Sequence, residues 1–158
     1  MAPKTLKRTI VNVISGPLGV GKTTAVNHLL SQRPSDERWA VLVNEYGLVG
    51  LDAALIDSQV DQGRSAVEIR EVAGGCICCS AGLIFKVSLT LLLQRKPDRL
   101  IIEPTGLAVL SGILETLSLP GIREAVDLRS VICLLNPNQL DRDLLRGEVI
   151  DQVVARTG

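Results

Sequence analysis

The stretch that decides the fold is Gly16-Pro17-Leu18-Gly19-Val20-Gly21-Lys22-Thr23, which fits the pattern G-x-x-x-x-G-K-[ST] at every position. An apolar run over residues 9–15 precedes it and predicts a strand. Apolar residues at helical spacing follow it: Val26, Leu29 and Leu30. In this arrangement, glycines let successive backbone N–H groups point inward, and the helix directs its positive dipole end at the same place. The pattern therefore predicts phosphate binding, with Lys22 at the β- and γ-phosphates and the Thr23 hydroxyl on Mg²⁺.

The composition predicts one globular domain with balanced charge. The chain has 158 residues, of which 46% are hydrophobic, and this is enough for a single core. Lys plus Arg and Asp plus Glu number 17 each, and there is one Trp, one Tyr and one Phe. Without a basic surface or stacking aromatics, no nucleic-acid partner is expected. No apolar run could span a bilayer and no signal-peptide core is visible, so we expect no membrane partner, a cytoplasmic location and reduced cysteines.

Short apolar runs alternate with helical patterns along the rest of the chain. Further strands are predicted over residues 39–43, 67–70, 99–103 and 131–135. Three helical stripes are expected to face the core: Leu83, Val87 and Leu91 with Ile84 and Leu92; Leu107, Leu110, Leu114 and Leu117; and Leu145, Val149 and Val153. The alternation predicts an α/β fold, a doubly wound, mostly parallel sheet of at least five strands with helices on both faces, as in phosphate-loop NTPases. Ligands of such sheets bind beyond the carboxyl ends of the strands.

Two of the predicted strands end in acidic motifs at that edge. Glu103-Pro104-Thr105-Gly106 closes the fourth strand, where a carboxylate binds the water of Mg²⁺ or orients the attacking water, and Gly106 allows close approach to the γ-phosphate. Asn44-Glu45-Tyr46-Gly47 closes the second strand and places Glu45 to sense the γ-phosphate and Mg²⁺. The structural alternatives are a solvated strand end for Glu103 and an ordinary turn for the second motif.

Three of the four cysteines fall within Cys76-Ile77-Cys78-Cys79, directly after a Gly-Gly pair. Thiolates bind soft or borderline ions such as Zn²⁺. Two or three thiolates do not complete a tetrahedron, so a carboxylate, water, nucleotide oxygen or second chain is expected to supply the rest. Such an incomplete site favours a metal carrier over structural zinc, and the alternative is a tight turn of small buried residues. Cys133 is expected in the core, and His28 on the surface.

With these motifs in this order, the chain resembles the CobW-like family of metal-chaperone GTPases, and its zinc-binding members in particular. The resemblance runs from about Ile10 to the end of the chain, and its most specific part is the glycine loop together with the C-x-C-C segment. It implies a phosphate-loop GTPase domain, followed by a smaller C-terminal domain, that hydrolyses GTP slowly and couples nucleotide state to metal delivery. The implied cofactors are GTP or GDP, Mg²⁺, and Zn²⁺ or Co²⁺.

The motifs and the resemblance together assign three sets of site residues, with Glu45 and Gly106 assigned from the motifs alone. The nucleotide would be bound by Gly16, Gly19, Val20, Gly21, Lys22, Thr23, Thr24 and Gly106. The hydrolysis centre would contain Lys22, Glu45 and Glu103, with Mg²⁺ on Thr23. The cargo metal would be held by Cys76, Cys78 and Cys79.

The chain departs from the family pattern at several points. Pro17 stands where the family usually has an aromatic or apolar residue, Tyr46 replaces the usual Phe, and Leu48 stands where many relatives have an acid. No N-K-x-D guanine motif occurs before Gly158, so GTP rather than ATP is implied by the resemblance alone. Residues 1–158 are accordingly interpreted as a GTPase domain truncated before this motif and before a C-terminal domain.

The predicted function is that of a GTP-hydrolysing metallochaperone. Its expected partners are a nucleotide, a metal ion and a metal-receiving client protein, and a homodimer is left open. One alternative is a zinc-storage or thiol redox-sensing protein in which the nucleotide is structural. A lower-ranked alternative is a phosphate-loop kinase that acts on a small metabolite.

Overall fold

A computed structural model of the chain describes residues 7–44, 67–71, 81–104 and 110–137. Strands and helices alternate in it, except that β2 is followed by β3 among the described residues. The elements are β1 (Thr9–Ser15), α1 (Lys22–Ser31), β2 (Trp39–Asn44), β3 (Val67–Glu71), α2 (Ala81–Gln94), β4 (Arg99–Pro104), α3 (Leu110–Ser118) and β5 (Val126–Cys133). All five predicted strands are present, and four of them lie within one residue of the predicted bounds.

The strands form one sheet in the order β3-β2-β4-β1-β5, and every neighbouring pair is parallel. Helix α1 packs on one face, where its Val26 joins a cluster with Ile101 of β4. Helices α2 and α3 pack on the other face, against a cluster that includes Val13 and Ile102. The predicted doubly wound parallel sheet with helices on both faces is therefore confirmed. The central strands β1 and β4 are covered on both sides, which explains their nearly continuous apolar sequences.

Strand β5 begins at Val126 instead of the predicted residue 131. Its first five residues include Asp127, Arg129 and Ser130, so this part does not look like an apolar strand. The pairing with β1 also shifts there, because Val11 lies opposite Leu128 and the next residue, Asn12, lies opposite Ser130. A bulge of this kind inserts one extra residue, here Arg129. The prediction depended on a continuous apolar run, which begins only after the bulge.

The prediction for α2 had the wrong face turned to the core. Leu83, Val87 and Leu91 are 68%, 49% and 38% exposed, and Ile84 is exposed as well. The core is filled instead by Phe85, Leu89 and Leu92, of which only Leu92 belonged to the predicted stripe. Because α2 is apolar on both sides, spacing alone offers two competing faces, and the only Phe of the chain lies on the buried one.

Helix α3 follows the prediction more closely. Leu110 and Leu117 are buried, Leu114 is partly buried against the same cluster, and Ile113 completes the buried face. Leu107 and the stripe formed by Leu145, Val149 and Val153 lie outside the described residues. Within residues 7–44, 67–71, 81–104 and 110–137, no helix is long and apolar enough to cross a bilayer.

Polar side chains connect the central strands on the face that α1 covers. Asn12 of β1 donates from Nδ2 to Ser130 Oγ at 2.6 Å and accepts from an Arg99 guanidinium nitrogen at 2.6 Å. The Arg99 guanidinium lies 5.0 Å from the ring centroid of Trp39 on β2. These contacts link β5, β1, β4 and β2 laterally. Because the bulge places Ser130 opposite Asn12, it also aligns the hydrogen bond between these two side chains.

Candidate nucleotide site

The loop between β1 and α1 approaches the end of β5 so closely that its first position must be glycine. Gly16 has φ +144°, and a Cβ there would lie 2.5 Å from the carbonyl oxygen of Leu134. The Leu134 N–H donates to the Ser15 carbonyl at 2.8 Å, which fixes this approach. Gly19 and Gly21 also have positive φ, +74° and +97°, but a Cβ on either would meet open space. Gly16 therefore serves close packing, whereas Gly19 and Gly21 serve backbone direction.

Helix α1 begins at the end of this loop with an amino terminus suited to an anion. Gly21 is its N-cap, in the left-handed conformation, and makes no side-chain capping hydrogen bond. The first turn contains no acidic residue. Backbone N–H groups at such an end remain available to a ligand, and the helix dipole favours negative charge there. This arrangement fits phosphate oxygens at the predicted position.

Lys22 places its charge against the glycine loop. The residue is only 7% exposed. Its Nζ donates to the carbonyl oxygens of Gly16 and Pro17, each at 3.0 Å. A buried ammonium group needs several acceptors, and phosphate oxygens in the loop would be stronger ones than carbonyls.

Thr23 and Glu103, which are distant in sequence, meet at the carboxyl edge of the sheet. The Thr23 hydroxyl donates to Glu103 Oε1 at 2.8 Å, and Glu103 is 2% exposed. Glu103 is positioned by β4, whose burial continues to its last residue. A hydroxyl and a carboxylate are the hard oxygen groups that Mg²⁺ binds, directly or through water. The donor set therefore fits a magnesium ion next to the phosphates.

Cys133 lies beside this site and not in the core as predicted. It ends β5, opposite Ser15, and is half-buried. Burial raises the pKa of its thiol, and the positive charge of Lys22 opposes this rise. The sequence indicated a cysteine in an apolar strand, but the register that brings it next to the glycine loop depends on the bulge in β5.

Other predicted site residues differ in whether the structure describes them. Val20 lies within the glycine loop, and Thr24 lies in the first turn of α1 and is exposed. His28 is exposed, as predicted. Glu45, Gly106 and the cysteine segment Cys76 to Cys79 lie outside the described residues. The described part of the chain holds no group of three or more His, Cys, Asp or Glu residues that could bind a metal ion.

The register nevertheless shows where these segments leave the sheet. Val43 of β2 lies opposite both Glu103 of β4 and Glu71 of β3, so the three strands end at the same edge. Residues 45–66 follow β2, and residues 72–80, with the C-x-C-C motif, follow β3. Both segments are therefore attached at the edge that carries Thr23 and the glycine loop.

Comparison with known proteins identifies the family. Residues 10–155 match the family described as "CobW/HypB/UreG, nucleotide-binding domain". The chain is 48% identical over 133 residues to "Zinc chaperone YeiR" of Escherichia coli strain K12, covering 84% of this chain and 39% of that protein. It is 34% identical over 126 residues to "Zinc chaperone CobW" of a Sinorhizobium species, covering 78% and 35%. It is also 34% identical over 114 residues to "Zinc-regulated GTPase metalloprotein activator 1" of Dictyostelium discoideum, covering 67% and 24%.

These matches cover most of this chain but only about a quarter to two-fifths of each relative's length. The match of the family extends over the glycine loop, Thr23, Glu103 and the cysteine segment. The family predicted from the motifs is thereby confirmed, and this chain belongs to the CobW/HypB/UreG nucleotide-binding domain family.

Proposed function

We propose that this chain is the nucleotide-binding domain of a GTP-hydrolysing zinc chaperone. The observation that carries the proposal is the partly buried hydrogen bond from Thr23 to Glu103, together with the Lys22 ammonium group that faces the glycine loop. A cation, a hydroxyl and a carboxylate thus lie at the carboxyl edge of the sheet with the glycine loop. The names of the three relatives, two zinc chaperones and one zinc-regulated GTPase metalloprotein activator, support zinc and GTP as the ligands.

In this proposal the loop residues Gly16 to Thr24, with Gly106, bind the nucleotide phosphates. Lys22 exchanges its two carbonyl acceptors for β- and γ-phosphate oxygens, a small movement since it already points into the loop. The Thr23 hydroxyl oxygen would bind Mg²⁺, while its O–H keeps donating a hydrogen bond to Glu103, which holds the group in place. Bound magnesium would supply positive charge to the phosphates as the γ-phosphate leaves. Glu103 and Glu45 are the candidates for orienting the attacking water.

The cargo zinc is proposed to bind Cys76, Cys78 and Cys79. These thiols are tethered between the carboxyl end of β3 and the start of α2, at the edge of the sheet that holds the nucleotide loop. A segment attached at the same edge of the sheet as the nucleotide loop can respond to whether the γ-phosphate is present. Nucleotide state and metal affinity are therefore proposed to be coupled, with transfer to a client protein as the outcome.

Zinc titration with and without Mg²⁺–GTP tests the coupling. Since coupling energies of this kind are about 1–3 kcal/mol, we expect the zinc affinity to change at least about fivefold between the two conditions. Equal affinities would contradict the coupling. Cys78→Ser is expected to weaken zinc binding and leave GTP binding nearly unchanged. The matched variant Cys133→Ser, in β5, is expected to leave zinc affinity as it is.

A single-turnover and multiple-turnover GTP assay separates the proposal from its main alternative. Glu103→Gln is expected to bind GTP but lose hydrolysis by about a hundredfold or more, because a charged group is removed from the reacting centre. A zinc store or redox sensor with a structural nucleotide would bind GTP without steady turnover in the wild type. Phosphate that appears on an acceptor other than water would indicate a kinase instead.

A further inference from the structure

Helix α2 presents an apolar surface on the side opposite to the core. The outward stripe, as we call it, consists of Leu83, Ile84, Val87 and Leu91, which are 68%, 47%, 49% and 38% exposed. The inward residues of the same helix are at most 1% exposed. A helix that is apolar on both sides is normally buried on both sides, and clustered exposed apolar residues mark interaction surfaces.

We propose that the outward stripe is the docking surface for an amphipathic helix of a partner protein, with acidic residues beside the apolar face of that helix. The stripe residues recur at i, i+4 and i+8, which forms a ridge of the kind that packs into the groove of a second helix. Lys86 is the only charged residue of α2, and it is exposed. A partner with a carboxylate next to its apolar face would complement that charge.

The size of the stripe favours a transient partner over a permanent second copy. A stable interface takes about 20–30 residues from each side, whereas the stripe contributes four. Four apolar side chains along one helix match the anchors of a single docked helix instead. Two copies of the stripe would also bring two Lys86 charges into the same interface without an acid on either helix.

The position of the stripe indicates where such a partner would be held. Helix α2 follows directly on the cysteine segment, and Leu83 lies in its first turn. A helix docked there would be held next to the proposed zinc ligands. That the partner donates or accepts zinc rests on the proposed function, whereas the contact itself requires neither zinc nor GTP.

The test uses a fluorescein-labelled amphipathic peptide of about 15 residues, long enough to form a helix, with leucines on one face and glutamates beside them. Anisotropy is measured without zinc or nucleotide, so that a negative result leaves the proposed function untouched. Val87→Asp is expected to weaken binding at least about tenfold, because the new charge would be desolvated in the contact. Leu128→Asp, at a comparably exposed apolar site on β5, is the matched control and is expected to stay within about twofold.

A charge reversal tests the second half of the proposal. Lys86→Glu is expected to shift preference from the glutamate peptide to a counterpart with lysines in the same positions. Circular dichroism checks that each variant is folded, and Leu83→Gln repeats the test if Val87→Asp is not. Peptide binding that is indifferent to the stripe variants would overturn the proposal. So would self-association of the wild type in light scattering that Val87→Asp abolishes, because a second copy would then cover the stripe.

Discussion

Gly16→Ala is the substitution whose cost the structure defines most sharply. The φ of +144° is nearly confined to glycine, and holding another residue there costs about 1–3 kcal/mol. The added Cβ would also lie 2.5 Å from the Leu134 carbonyl oxygen and 3.2 Å from its nitrogen. Both are backbone atoms, so the end of β5 must move away as a unit. That movement would break the Leu134 to Ser15 hydrogen bond, which contributes about 1 kcal/mol more.

The total destabilisation expected for Gly16→Ala is therefore about 2–4 kcal/mol in the free energy of unfolding. Gly19→Ala is the matched control within the same loop. Its φ of +74° costs an alanine about 1–2 kcal/mol, and the added Cβ would meet nothing within 4 Å. The two variants therefore carry similar backbone strain and differ mainly in the contact with β5.

Urea unfolding without nucleotide, followed by circular dichroism, measures this difference directly. Titration with a fluorescent GDP analogue then tests phosphate binding by the glycine loop. Gly16→Ala is expected to lower the nucleotide affinity at least about tenfold more than Gly19→Ala, because its whole loop must shift. Equal losses of stability in the two variants would refute the reasoning. They would mean that β5 does not fix the loop in the way that its hydrogen bond to Ser15 indicates.

The remaining predictions concern the core and the amino edge of the sheet. Phe85→Ala should lower the free energy of unfolding by about 3–5 kcal/mol, because it empties a fully buried site. Leu83→Ala, on the opposite side of α2, should change the free energy of unfolding by no more than about 0.5 kcal/mol. A larger loss for Leu83→Ala in urea unfolding would contradict the assigned faces. Asp98 accepts hydrogen bonds from the Lys7 ammonium and the Arg38 N–H, which lower its pKa below the ordinary 3.8. Asp98→Ala should therefore cost about 1–2 kcal/mol near pH 7. This difference should shrink as the pH falls from 5 through the lowered pKa of Asp98, and a constant difference between pH 5 and pH 2 would rule out the ionised carboxylate as its source.

Local patterns were sufficient to predict the strands that are buried on both faces. β1, β2 and β4 carry nearly continuous apolar runs, because a parallel sheet between two helical layers has no solvated side. The glycine loop was predicted for a similar reason, since its glycines and Lys22 act within a few residues of one another. The pairing of Thr23 with Glu103 was partly predictable, because both follow or end strands that reach the carboxyl edge.

Features that depend on contacts between distant segments could not be predicted. The inward face of α2 is chosen by Phe85, whose fit against the sheet is invisible in a helix that is apolar almost throughout. The early start of β5 depends on pairing with β1, which compensates for its charged residues. The lateral hydrogen bonds of Asn12 to Arg99 and Ser130 were missed altogether, since a lone Asn in an apolar strand carries no signal of its partners.

The position of the glycine loop is a consequence of such distant pairing. Its sequence provides the conformational freedom, but its place is set by Leu134, which binds Ser15 and limits Gly16 to a residue without a side chain. β5 is the outermost strand beside β1 among the described residues, and its bulge determines which of its residues reach the loop. A change in the pairing of β5 by one residue would bring a different backbone group against Gly16, and the phosphate cradle would move with it. The nucleotide site is thus held in place by β1 and β5, so β5 contributes to it together with the glycine loop.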